Sequence, residues 1–527
     1  MAPAGTKADR FASQRSAALV GSGILFSRLT GLVRERVFAH FFGNSDAADA
    51  FKAAFRIPNL LQNLFGEGVL SASFIPVYAA LLAQDQDEEA NRTAGAVLAL
   101  LALCAATLVL LGVLATPYLI EVIAPGFHGA KRQLTIRLVR ILFPGAGLLV
   151  LSAWCLGILN SHRRFFLSYV APVAWNGAMI TTLLVFGRHY PQYPLATLLA
   201  LGSVVGSLLQ VGVQWPAVRK LVGRLRLSLD HRSAHVRTVI KNFVPVFFSR
   251  GVVQISGYMD ALLASLLPTG AVATLAYAQT LYMLPISLFG MSVSAAELPA
   301  MAGTVGAMAE VAPILQRRLN AGLRQITFFV LPSVAAFLAV GDVVVAAVYQ
   351  GGAFHRQDVL YVWGTLAGAA VGLLASALGR LYSSTYYALR DTRNPLRYAA
   401  IRVALTIALG IVAAFWLPGW LGLAPRWGVA GLTLSAGLAA WVEFTLLLRG
   451  LRSRIGSTGL PLGFLLQVGG AALAAAFAAR ATLRALGPHG PWLTALLVLG
   501  AYGAVYFAAA WALRLPELHA LGRLARR

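Results

Sequence analysis

The sequence predicts an all-α polytopic membrane protein, and three observations carry that expectation. First, 58% of the 527 residues are hydrophobic and only 12% are charged, about half the charged share of a soluble domain. Second, walking the chain with the roughly 20 apolar residues that a helix needs to cross hydrocarbon finds about fourteen candidate spans. Third, the basic residues fall mainly in alternate loops, as they do when positive loops stay on the cytoplasmic side. The 43 Lys plus Arg against 19 Asp plus Glu give a formal charge of +24. In a soluble chain that excess would suggest nucleic acid. With a mean hydropathy of +0.72, the bilayer explains it instead, and no nucleic-acid partner is expected.

The spans follow in order. The first three lie near 16–42, 59–83 and 93–122, each an apolar run bounded by polar residues. The next three lie near 134–159, 166–187 and 195–217. The second half gives 239–267, 272–302, 320–349, 357–387, 397–417 and 427–449, and the last pair lies near 460–486 and 492–514. Pro58, Gly66 and Gly68 read as packing and bending positions, which membrane helices tolerate. The longest gap, about 218–238, has room for a short surface helix and no more. The first span is too long and too arginine-rich for a cleavable leader. Cys104 and Cys155 lie in apolar runs and form neither a metal-ligand spacing nor a disulfide framework.

Orientation follows from the loops. Lys7, Arg10 and Arg15 precede the first span, and the even-numbered loops carry Arg163, Arg164, Arg219, Lys220, Arg317, Arg318, Arg390 and Arg393, with Arg449 and Arg452 further on. Both termini are therefore expected to be cytoplasmic, with an even number of spans. Residues 84–92 should also be inside yet are acidic, and acids carry little topological weight.

A weak repeat at a shift of about 220 residues pairs Ser27-Arg28 with Ser249-Arg250, Leu64-Phe65-Gly66 with Leu288-Phe289-Gly290, and Pro76 with Pro299. Six spans separate the copies, so they run in the same direction, as in transporters built from parallel halves. The expected organisation is an N-terminal lobe at 1–218, a C-terminal lobe at 219–455, and two extra helices with a tail at 456–527. Two six-helix lobes would surround a central cavity.

Charges within spans point to function. An arginine at the centre of a membrane helix costs roughly 2.5–3.5 kcal/mol on insertion scales. Arg28, Arg34, Glu35 and Arg36 all lie in the first span, with Arg28 about 18 Å along it, and Arg250 sits at matched depth in the seventh. Two readings stand. In one, these arginines make structural ion pairs, for example Arg36 with Glu35 or with Asp46 and Asp49. In the other they line an anion site, since the guanidinium fork suits phosphate and keeps its charge. Asp260, Glu67, Glu297 and Glu443 are intramembrane acids. Asp260 is read either as an ion-coupling group or as the partner of a neighbouring base, and Glu443 as a partner. The histidines form no ligand pair at helical spacing, no metal is expected, and no Walker loop is present.

The stretch from Ser27 to Leu82 carries FSR, G-x-x-R-[DE], Asp-Ala-Phe, PNLL and E-G-x-x-S-x-x-F-x-P. It resembles the opening of the MurJ (MviN) family of lipid II flippases, in the multidrug/oligosaccharidyl-lipid/polysaccharide exporter superfamily. APGF at 124–127 and the GILNSHRRF segment extend the resemblance over most of the chain, and it weakens in the last two spans. The resemblance implies a lipid flippase, not an enzyme, of the bacterial cytoplasmic (inner) membrane. It would move lipid II, the undecaprenyl-pyrophosphate-linked disaccharide-pentapeptide, to the outer leaflet for peptidoglycan synthesis. Ser27, Arg28, Arg34, Asp49, Asn59 and Glu67 match the family's polar positions, with the arginines gripping pyrophosphate and Arg250 added from the repeat. No cofactor is implied, and coupling would be to the membrane potential or an ion. Cell-wall synthesis proteins and membrane lipids are the further partners it allows. Two family cations are missing, at Gln62 and Thr280. A related exporter of drugs or other lipid-linked oligosaccharides would share this topology. A polyprenyl-phosphate-dependent glycosyltransferase, with Asp46 and Asp49 in the first outer loop, is a rival that the short loops disfavour.

Overall fold

A computed structural model describes residues 7–518 apart from 224, 305 and 488, and excludes the side chains of 7–22, 24, 25, 67 and 248–256. Its helices are α1 (Lys7–Phe42), α2 (Asp46–Phe65), α3 (Glu67–Ser73), α4 (Ile75–Ala83), α5 (Asp87–Ile123), α6 (Gly129–Ser161), α7 (Phe165–Phe186), α8 (Gln192–Val222) and α9 (Ala234–Ser265). They continue with α10 (Ala271–Pro285), α11 (Ser292–Ala302), α12 (Met308–Tyr349), α13 (Arg356–Ala370), α14 (Leu373–Ala388) and α15 (Arg393–Ile411). The last are α16 (Leu417–Trp420), α17 (Gly428–Ile455), α18 (Leu462–Ala485) and α19 (Pro491–Ala512). Among the described residues 11 helical segments are long and apolar enough to cross a membrane, or up to 12 if the bent α13–α14 pair is one span. The expected fourteen is thus not reached on that measure. Two further long helices, the charge-bearing α1 and α9, are not among the 11.

The largest departure from the sequence reading is in the second span. It begins at Asp46 rather than near 59, because Ser45 caps α2 by accepting a 3.2 Å hydrogen bond from the Ala48 N–H. Asp46 and Asp49 then occupy the first helical turn, where acids favour the helix dipole, and not an outer loop. The same span breaks at Gly66, whose backbone is extended between α2 and α3. A Cβ there would lie 2.1 Å from the Gln62 carbonyl oxygen, so glycine is required. The matching Leu288-Phe289-Gly290 lies in a π-helical stretch, Ile286–Met291, between α10 and α11. Both repeat copies therefore interrupt their helix at the same motif.

The chain forms two compact units, Met1–Leu266 and Leu267–Arg527. In the first, α6 packs on α8 and α2, α7 on α8 and α1, and α9 against α3 and α5. Trp154, Tyr78 and Phe74 are fully buried in its core. Ser152 Oγ joins α6 to α8 by donating to Gln214 Oε1 at 2.7 Å and accepting from Gln210 Nε2 at 2.9 Å. Such polar links hold membrane helices together where apolar contact gives no advantage over lipid.

Contacts also sort the loops of this unit into two sides. Arg92, beside the acidic 84–92 segment, pairs with Asp230 of the 223–233 connection at 3.1 Å, so both segments lie on one side, as the topology requires. Opposite them, Gln192 Nε2 donates to the Phe41 and Phe42 carbonyls, and Lys131 reaches Asp46. The described residues of the 223–233 segment form no helix.

In the second unit α17 packs on α13, α14 and α15, and α18–α19 form a hairpin against α12. The bend of 42° between α13 and α14 lets Gly372 approach α17 so closely that a Cβ would meet the Gly437 Cα at 2.3 Å. Pro332 inside α12 lacks an N–H, leaving the Phe328 carbonyl without its usual helical donor. Tyr506 Oη of α19 donates to that carbonyl at 2.5 Å, and Tyr502 Oη donates to the Pro332 carbonyl at 2.7 Å. Outer faces are apolar, as lipid requires, with Leu496 71% and Phe477 76% exposed.

Candidate functional site: a chain of charges in the first unit

The first unit gathers five charged side chains from three helices. Glu35 of α1 is buried and accepts two charge-assisted hydrogen bonds, from Arg34 Nη2 at 2.8 Å and from Lys52 Nζ at 2.5 Å. Lys52 comes from α2 and stands over the Phe38 ring, 4.3 Å from its centroid. Arg34 also donates from Nη1 to Asn176 Oδ1 at 3.1 Å and lies 4.8 Å from the Trp175 ring centroid. Both contacts come from α7. Trp175 is fixed in turn, since its Nε1–H donates to the Ser203 carbonyl at 3.1 Å.

One turn further along α2, Arg56 lies within electrostatic reach of Lys52 and of Asp260 on α9. Its Nη1 donates to the Gly257 carbonyl at 2.9 Å, while Tyr258 Oη donates to the Arg56 carbonyl at 2.6 Å. Arg34, Lys52 and Arg56 against Glu35 and Asp260 leave one net positive charge in the set. At about 1.5 Å per residue, these groups lie roughly 8–15 Å inside the helix ends nearest residues 43–45. That is deep enough for lipid to be excluded as a partner at any reasonable cost. The set is suited to holding an anion: its donors are fixed by neighbours, and its acids are one too few.

The sequence-derived residues are distributed as follows. Arg34 is central to the set, and Asp260 belongs to it. Glu35 pairs with Arg34 and Lys52 rather than with Arg36. Asp49 lies elsewhere: it is 1% exposed and pairs with Lys131 at 2.6 Å, and Lys131 also meets Asp46 at 2.9 Å. Ser27 is half-buried, with its carbonyl accepting from Thr30 Oγ1 at 2.9 Å, and Arg28 is exposed. Asn59 is half-buried. The side chains of Glu67 and Arg250 lie outside the described residues. In the second unit Glu443 pairs with Arg402 at 3.0 Å, as an ion-pair reading of that acid requires, and Glu297 pairs with Arg318 at 3.3 Å. Thr280, at one missing family cation, hydrogen bonds to the Ala276 carbonyl of its own helix.

Lys52, Arg56, Trp175 and Asn176 were not singled out from sequence. The first two fell in a stretch read as loop, and the signal that would have placed them is the Ser45 cap with acids in the following turn. Asn176 is a lone polar residue in an apolar span. No group of three or more His, Cys, Asp or Glu that could hold a metal occurs among the described residues.

A multi-span helical bundle in two compact units, with fixed cations at membrane depth, defines a membrane transporter. A family model described as Lipid II flippase MurJ matches residues 38–503. The chain is 30% identical over 528 residues to the probable lipid II flippase MurJ of Rhizobium meliloti (strain 1021), covering 97% of this chain and 96% of that one. It is 32% identical over 472 residues to the lipid II flippase MurJ of Burkholderia cenocepacia, covering 87% and 88%. Its fold matches a solved structure of lipid II flippase MurJ in an inward closed conformation with a TM-score of 0.76 at 24% identity, covering 94% and 98%. It also matches an inward-facing multidrug resistance MATE family transporter of the MOP superfamily, with a TM-score of 0.62 at 15% identity over 80% and 95%. The chain belongs to the MurJ family of lipid II flippases, a transporter family rather than an enzyme family.

Proposed function

We propose that this protein flips lipid II, the lipid-linked peptidoglycan precursor, from the inner to the outer leaflet of the bacterial cytoplasmic membrane, with both termini cytoplasmic. Membership of the family supports the activity. The observation that carries the mechanism is the net-positive set around Glu35, in which Arg34 and Lys52 are held by one carboxylate at 2.8 and 2.5 Å.

The pyrophosphate of the substrate, esterified at both ends, is a dianion, and it cannot enter hydrocarbon unpaired. Arg34, Lys52 and Arg56 offer it donors whose geometry is already set, which lowers the ordering cost of binding. Trp175, 4.8 Å from the planar Arg34 guanidinium, keeps it aimed, while the polyprenyl tail stays in lipid. Transport follows from exposing this set alternately to the two sides of the membrane. Arg56 supplies the α2 cation that the family's pattern would place at Gln62. The sequence reading adds Arg28 and Arg250 as further candidate cations for the pyrophosphate. Asp260, beside Arg56, is the group through which an ion or the membrane potential would act. A charge crossing the field contributes about 2.3 kcal/mol per 100 mV.

Complementation of a bacterium depleted of its own flippase tests the reading, with lipid II accessibility at the outer leaflet as readout. Wild type is expected to rescue and Arg34→Ala to fail at equal expression. Equal rescue by Arg34→Ala would remove the cationic-site mechanism, and no rescue by wild type would remove the substrate assignment.

A further inference from the structure

The second unit holds a charged pocket that the flippase mechanism does not use. It is a cavity of about 420 Å³ lined by Asp342 of α12, Arg356 at the start of α13, Arg480 of α18, and His489, with Leu483 and Leu486 among its apolar walls. Asp342 is buried, its side chain 6% exposed. It meets Arg356 Nη2 through Oδ2 at 3.4 Å and Arg480 Nη2 through Oδ1 at 3.7 Å. These are loose contacts. The second is beyond hydrogen-bonding distance, and Asp342 Oδ1 has no hydrogen-bond partner. Arg480 is steadied by Trp363, 5.8 Å from its ring centroid.

Two guanidiniums against one carboxylate leave a net positive charge, with most of their ten N–H donors pointing elsewhere than Asp342. The location narrows the ligand. Asp342, Arg480, Arg356 and Pro491 all lie within a few turns of helix ends, so the pocket sits where the bundle leaves the hydrocarbon. Trp492 beside it is 62% exposed, and exposed tryptophan marks the interface between lipid and water. On the hydrocarbon side, Leu493 and Leu496 of α19 are 46% and 71% exposed, giving an acyl chain an apolar surface to follow.

We propose that this pocket binds a phosphate group at the membrane interface, the phosphate of an anionic lipid, held by Arg356 and Arg480. This inference is independent of the flippase reading. The test uses full-length purified and delipidated protein, titrated with phosphatidic acid or with phosphatidylcholine and read by native mass spectrometry. Wild type is expected to retain phosphatidic acid over phosphatidylcholine. Affinity should fall roughly tenfold for each guanidinium lost in Arg356→Gln and Arg480→Gln. Competition by inorganic phosphate separates the sources: displacement of the lipid identifies free phosphate as a ligand too, and its failure identifies the lipid as the ligand. Asp342→Asn is expected to keep phosphatidic acid at least as tightly. Equal retention by wild type and Arg356→Gln, with unchanged thermal midpoints, overturns the proposal. So does loss of phosphatidic acid in Asp342→Asn alone, which would show that the guanidiniums do not hold the phosphate. Arg356 is 57% exposed at a helix start, so its variant remains folded even where Arg480→Gln does not.

Discussion

Lys52→Met separates what the charged set does for folding from what it does for transport. In the wild type, Glu35 serves two cations. Removing Lys52 leaves the Arg34–Glu35 pair intact and the pair neutral, so no buried charge loses its only partner. The loss is the 2.5 Å contact and the ring contact with Phe38 at 4.3 Å. Against it stands relief from desolvating an ammonium whose side chain is only 11% exposed. These oppose each other, and the net change is expected to stay within about 1–2 kcal/mol. Glu35→Gln is the contrasting variant. It removes the carboxylate that both cations hold, and taking away a buried counter-charge costs about 3–5 kcal/mol. Thermal unfolding in detergent should therefore rank wild type near Lys52→Met and both well above Glu35→Gln. Transport should rank differently. Lys52→Met removes the surplus positive charge and is expected to lose outer-leaflet lipid II by tenfold or more, about 1.4 kcal/mol of substrate grip. If Lys52→Met melts as low as Glu35→Gln, the charge accounting is wrong. If it folds and transports normally, the surplus charge has no part in binding.

Three further outcomes follow from the same reasoning. Tyr506→Phe leaves the Phe328 carbonyl without a donor, because Pro332 cannot supply one; unfolding should be easier by about 1–2 kcal/mol, and Tyr506→Phe combined with Pro332→Ala should recover part of the loss. Gly66→Ala would drive a Cβ to 2.1 Å from a backbone oxygen, so it should lower the thermal midpoint by an amount equivalent to about 1–3 kcal/mol, whereas Gly463→Ala, with nothing within 4 Å, should not. His162, which caps α6 outside the span and shares a 3.1 Å hydrogen bond with Tyr78, is held below its ordinary 6.5 by burial, with Arg164 adding to the effect and Asp87 opposing it. The unfolded chain then takes up the proton first, so stability should fall as pH drops from about 6.5 toward the folded value; His162→Gln should flatten that slope in a pH series of melting curves.

How much of this was legible in the sequence depends on what each residue had to betray. Helical spans announce themselves by composition, and the all-helical architecture follows from apolar runs of the right length. The second span shows the limit. Residues 46–58 contain Asp46, Asp49, Lys52 and Arg56, which lower any averaged hydropathy, so a ruler for apolar length begins the span at 59. The helix begins at Asp46 because Ser45 caps it and Ala47, Ala50, Phe51 and Ala54 bury one face. That pattern is helical periodicity, not bulk hydropathy.

The charged set shows a different limit. A buried arginine is conspicuous because its cost is high, so Arg34 could be named from sequence alone. Its partners could not be fixed, because the cost of burial identifies a charge and says nothing of who neutralises it. Sequence leaves Glu35, or Asp46 and Asp49, open as partners of Arg36. In the structure Asp46 and Asp49 pair with Lys131, and Glu35 pairs with both Arg34 and Lys52. The remaining acid near Arg56, Asp260, is more than two hundred residues away in the chain. The surplus of one positive charge is therefore a property of the packing. The same residues with Asp49 turned toward Arg34 would carry no net charge and would attract a phosphate less strongly.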